Sequence, residues 1–324
     1  MIMEQLREVE EKKESPPGWF DRRHPAALVL LVTLGFLAGV AVSNVDSIVA
    51  WEKNLLKNKD QDTLATVQEE DTAALEASVL PSAGFELPVV WKDYGKQLIA
   101  KGVIDQEKFE ALYANRGGLS DEDKKMLGGT ENGKMTITAE NSGVWLNLLW
   151  AFGLGNKNQI LEKGPMVDPG YGGAGKFAST GGWSVSKGKA MDHYSKHAFL
   201  TLNPEEQATV SRVSQGIYRP CCNNSTFFPD CNHGMAMLGL LELMAQQGVS
   251  EEEMYRVALE VNSFWFPQTY LTLAKYFAGK GTAWEKIDAK MVLGKEYSSG
   301  SGYNQILTEI TPVEQRPGGG SCGV

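Results

Sequence analysis

Cysteine and histidine are scarce in this 324-residue chain, four of each. Three of the cysteines fall within eleven positions, so the even framework of a small disulfide scaffold is excluded. There is no Cys-x-x-Cys pair and no His-Glu-x-x-His run, the marks of a dithiol oxidoreductase and of a zinc-protease helix. Basic residues are outnumbered, 31 Lys and Arg against 40 Asp and Glu, for a formal net charge of −9. Nucleic acid is therefore not an expected partner, because phosphate binding needs a concentrated positive surface. No internal repeat and no period-2 alternation of convincing length appears, which argues against solenoids and sheet-dominated folds. The expectation is a mainly α chain.

One long apolar run stands out. Residues 26–45, AALVLLVTLGFLAGVAVSNV, carry no charge and only Thr33, Ser43 and Asn44 as polar side chains. As a helix this run is roughly 30 Å long, enough to cross a bilayer core with its backbone groups bonded internally. Trp19, Phe20 and Trp51 suit the two interfaces. Arg22 and Arg23 abut its start, with Arg7, Lys12 and Lys13 behind them, whereas Asp46 and Glu52 follow its end. That bias predicts a cytoplasmic segment 1–25, a transmembrane anchor 26–45 and export of the remainder, making this a single-pass cell-membrane protein. A cleaved signal peptide ending near Ala41 and Ser43 is an alternative that still exports the domain, and a buried core helix is another.

Beyond the anchor, residues 46–85 are too polar to form a core and are expected to make a partly helical stalk. A compact, loop-rich helical domain is expected over 86–310 and a flexible Gly-rich tail over 311–324. Three short helices are predicted between Trp91 and Leu127, and a strongly apolar one over 136–153. The glycine-rich stretch 153–188 reads as a long loop, of the kind that serves or wraps a site. Asn203 and Pro204 open a helix, another spans about 232–247, and Ser250 with Glu251 to Glu253 starts a third that Pro267 should kink or split.

The chemistry concentrates in RPCCNNSTFFPDCNHGMAM, residues 219–237, which holds Cys221, Cys222, Cys231, His233, Met235 and Met237. Just upstream, His193 and His197 stand four apart in MDHYSKH and share one face if that segment is helical. Thiolate and imidazole are preferred ligands of zinc and copper, and thioether sulfur adds a bias toward reduced copper. The expectation is a copper or zinc site built from Cys221, Cys222, Cys231 and His233, with His193 and His197 as additional ligands, serving metal handling rather than catalysis. Two readings compete with it. Cys221 or Cys222 can bridge to Cys231 and staple the loop of a cell-surface interaction module, or the thiols can exchange disulfides with Cys322 on the tail. Cys322 also offers a linkage point to a protein partner. Met235 and Met237 share their helix with several leucines and also suit ordinary core packing. A metal hydrolase using Asp192 or Asp230 ranks last.

Two local resemblances to known motifs fail. Gly170 to Lys176 copies the start of a phosphate-binding loop, but Phe177 replaces the Ser or Thr that holds magnesium, so a nucleotide is not expected. Asn223 and Asn224 begin glycosylation sequons, which matter only in a host with that machinery.

Overall fold

The structure, a computed structural model, describes residues 72–313. The proposed anchor, most of the proposed stalk and the tail with Cys322 lie outside the described residues. Among the described residues no helix is long and apolar enough to cross a membrane.

The fold is mainly α, as composition and periodicity indicate. Among the described residues, nine helices of seven residues or more follow the first strand: α1 (Tyr94–Ala100), α2 (Gln106–Tyr113), α3 (Asp121–Gly128), α4 (Ser142–Gly155), α5 (Pro204–Gly216), α6 (Asn232–Gln246), α7 (Glu251–Trp265), α8 (Pro267–Gly279) and α9 (Gly300–Ile306). Their starts obey local chemistry. Asn203 accepts from the Glu205 and Glu206 amides with Pro204 in the first position of α5, and Ser250 accepts from the Glu253 amide at the head of α7. Pro267 opens α8 after Phe266 ends α7, so the expected interruption is a clean split.

One two-stranded sheet accompanies the helices, although the sequence shows no alternation of convincing length. β1 (Phe85–Lys92) pairs antiparallel with β2 (Asn132–Ile137), Phe85 opposite Ile137 and Lys92 opposite Asn132. Alternation in β1 does bury Leu87, Val89 and Trp91, but the register shifts between Glu86 and Val90, where Pro88 has no N–H to donate. Two short strands, one of them carrying a proline, leave little periodic signal. β2 also takes the first two residues of the apolar helix expected over 136–153, which begins at Ser142 instead.

Two helices form the centre. Nearly every residue of α4 and α6 is buried, the mark of helices enclosed on all sides. They touch backbone to backbone: a Cβ on Gly153 would lie 2.2 Å from the Met235 carbonyl oxygen, and one on Gly239 would lie 2.7 Å from that of Leu149. Helices α5 and α7 pack against α6, α1 and α7 pack against α4, and β1 meets both central helices, its Trp91 lying against Trp145 and Phe152 of α4. This arrangement leaves the N-terminal end of α6, with Cys231 as its cap, against the loop that follows α5.

Candidate metal centre

The loop from Ile217 to Cys231 is fixed at many points. Tyr218 donates its amide to the Leu293 carbonyl, Thr226 to Ile217 and Phe227 to Ser214. Gly300 donates to the Cys222 carbonyl at 2.8 Å, and the Ser301 amide donates to Asn223 Oδ1 at 2.8 Å. From the glycine-rich stretch, the Ser179 amide reaches the Asp230 carbonyl at 3.1 Å. Phe228 packs its ring against Tyr171 and Phe177 of the same stretch, at centroid distances of 5.0 and 5.2 Å. That stretch thus borders the cysteine loop, and its phosphate-loop look-alike is a pair of short 3-10 turns.

At the centre of the loop lies Arg219, 1% exposed. Its guanidinium donates to Cys231 Sγ at 3.0 Å, the Asn224 carbonyl at 2.9 Å, the Phe228 carbonyl at 3.1 Å and Asp230 Oδ1 at 2.8 Å. Asn224 completes the network by donating Nδ2 to Asp230 Oδ2. A Cβ on Gly234 would stand 2.4 Å from the same guanidinium, so the glycine makes room for the arginine. The commitment of the Asn224 amide and the burial of Thr226 also make that sequon a structural part of the loop.

Cys231 caps α6 by accepting from the Gly234 amide at 3.4 Å. Its sulfur lies 3.5 Å from Cys221 Sγ and 4.0 Å from Cys222 Sγ, and none of the three is disulfide-bonded. Hydrogen bonds from Cys221 and Cys222, then the Arg219 charge and a bond with His233, draw the Cys231 thiol well below the ordinary thiol range against the opposing effect of burial. For Cys222 a bond with Cys221 acts downward, but its bond to Cys231 and its burial prevail and push it up to about 11. Burial works against the Arg219 charge, yet Cys231, Cys222 and Asp230 together raise its pKa. His233, 2% exposed, is held by Phe266 at a ring separation of 4.4 Å and by Trp265 at 5.7 Å.

Among the described residues, two sets of side chains bring their ligand atoms within 4.8 Å of one another, Cys221 with Cys231 and His233, and Cys222 with Asp230 and Cys231. Cys231 belongs to both. The structure therefore contains a Cys/His group that can hold a metal ion. The sulfur spacings suit the task, since two thiolates bound at about 2.3 Å in a tetrahedron lie about 3.8 Å apart.

His193 and His197 are not in either set. They sit beside the end of α4, where the Ser195 amide bonds the Leu154 carbonyl and that of His197 bonds Gly155. His193 Nδ1 lies 3.1 Å from His197 Nε2, and His193 Nε2 lies 2.8 Å from the Lys187 carbonyl. A carbonyl can only accept, so His193 carries its proton on Nε2 when neutral, and His197 donates to its Nδ1. Burial, followed by His193, Lys101 and Lys196, lowers the His197 pKa. Met235 and Met237 are fully enclosed in the core.

Sequence reasoning had not singled out Arg219 or Glu242. Glu242, 0% exposed on α6, accepts from the side-chain amides of Asn156 and Asn158, and burial raises its pKa well above the carboxylate range. A lone acid inside GLLELMA was the available signal. No protein-family model, curated protein or solved structure matches the chain.

Proposed function

We propose that this chain is a membrane-anchored protein whose helical domain lies outside the cytoplasm and binds copper or zinc for metal handling. The observation that carries the reading is the convergence of Cys221, Cys231 and His233 ligand atoms within 4.8 Å at the capped end of α6. Cys222 and Asp230 provide a second face of the same site, sharing Cys231. Soft sulfur with imidazole favours copper or zinc over magnesium or calcium, which take oxygen ligands. His233 comes ready oriented by its aromatic neighbours, and Cys221 is exposed at the rim, giving an ion a way in and out. The anchor rests on the apolar run 26–45 and the arginines before it.

Metal analysis of the full-length chain, purified reduced and without chelator, tests the assignment when joined to a thiol count. One copper or zinc per chain, lost in Cys231→Ala and weakened in His233→Ala, is expected. A metal-free reduced protein that also fails to take up added copper or zinc refutes it.

A further inference from the structure

We infer that Cys221 and Cys231 form an oxidative modification site, at which a hydroperoxide joins the two sulfurs as a disulfide and thereby expels the bound ion. This regulation rests on the metal-binding reading above. Three observations support it. The two sulfurs are 3.5 Å apart, so the bond length of about 2.05 Å is reached by a closure of about 1.5 Å, within the range of side-chain rotation. Cys221 is exposed and open to a dissolved oxidant. Cys231 is the one residue common to both ligand sets, so a single bond at its sulfur dismantles both at once.

Cys222 is the rival partner and is worse placed. Its sulfur is 4.0 Å from that of Cys231 and faces the Asn224 carbonyl at 3.8 Å, while its own carbonyl is held by Gly300. Closing the longer gap would pull against those ties, whereas the Cys221 sulfur starts 0.5 Å nearer.

The chemistry balances in two steps. The Cys221 thiolate attacks one peroxide oxygen, the O–O bond breaks, and with one proton from solvent the products are a Cys221 sulfenic acid and water or, from an alkyl hydroperoxide, the alcohol. The Cys231 thiolate, held by Arg219 and the Gly234 amide, then attacks the Cys221 sulfur, the S–O bond breaks, and the hydroxide leaves as a second water by taking a proton from solvent. Each sulfur has given up one electron to the peroxide, and the ion departs in its original oxidation state because its two sulfur ligands are now bonded to each other.

The test uses the full-length chain in a Cys322→Ser background, loaded with zinc because zinc has no redox chemistry of its own. One equivalent of hydrogen peroxide is added, released zinc is read with a chromophoric chelator, and the thiols are alkylated and mapped by fragment sequencing after cleavage at Phe227. The expected result is one disulfide joining 221 to 231 and loss of all bound zinc, at equal yields. Cys222→Ser is expected to form the same disulfide, and Cys221→Ser to form none at the wild-type rate. A disulfide from Cys222 to Cys231, oxidation to sulfinic acid without a disulfide, or zinc retained after the bond forms would each overturn the inference. A reduced protein that takes up neither zinc nor copper, yet still links Cys221 to Cys231, would sink the metal reading and leave the thiol pair standing.

Discussion

Replacing Arg219 by methionine removes the group on which the cysteine loop is assembled. Methionine keeps much of the apolar stem, so the loss isolates the guanidinium and its four hydrogen bonds. Asp230 is left without its cation, and the carbonyls of Asn224 and Phe228 each lose a donor. Removing one partner of a buried ion pair costs about 3–5 kcal/mol, and the Asp230 side chain is 21% exposed, so water offsets part of that. The carbonyls would add about 1–3 kcal/mol each if they stayed dry, but these terms overlap and do not sum. We therefore expect Arg219→Met to destabilise by about 3–5 kcal/mol, lowering the melting temperature by about 6–20 °C in a domain of this size. Urea unfolding followed by circular dichroism on Arg219→Met, Asp230→Asn and the double variant measures it. The double variant should be more stable than the sum of the single losses implies, by about 0.5–3 kcal/mol, because Asn at 230 removes the stranded charge. A loss below about 1 kcal/mol for Arg219→Met, or strict additivity, would refute the view that this guanidinium clamps the loop.

Two further outcomes follow from the core. Gly239→Ala gains about 1 kcal/mol of helix propensity but forces a methyl against the Leu149 carbonyl and the Gly153 amide, a misfit of about 1–3 kcal/mol, so unfolding should show no net gain and most often a loss. A stabilised Gly239→Ala would mean that α4 and α6 are not in backbone contact. Burial, opposed by Arg256, raises the Glu260 pKa to about 7, above its unfolded value of 4.5. The folded state then holds more protons than the unfolded one across that interval, so this group's contribution is fully present below pH 4.5 and is lost as pH rises toward 7. Glu260→Gln should flatten that decline in urea midpoints measured across the same range, and an unchanged slope would contradict it.

Much of the helical plan was legible because it depends on local chemistry. The Asn203-Pro204 start, the Ser250 cap and the Pro267 break each act within one turn of backbone and need no knowledge of the rest of the fold. The β1–β2 ribbon was not legible, since Pro88 argues against a strand and the pairing spans residues far apart in sequence. Within the site, cysteines and a histidine in one short stretch were visible as a chemical cluster, and the loop-to-helix turn does bring Cys221, Cys231 and His233 together. Arg219 escaped because an arginine gives no sign in sequence of whether it faces solvent or accepts burial among carbonyls. His193 and His197 met the spacing for a shared helical face, but their segment is a series of turns tied to Lys187 and the end of α4.

The many ties on the cysteine loop also bear on how an ion would be captured. A loop held by Leu293, Gly300, Ser301 and Ser179 has already surrendered most of its conformational freedom during folding. Little entropy then remains to be lost when a ligand arrives, so contact energy goes into affinity rather than into ordering the chain. Loosening any one of these remote anchors would weaken capture without touching a single ligating atom.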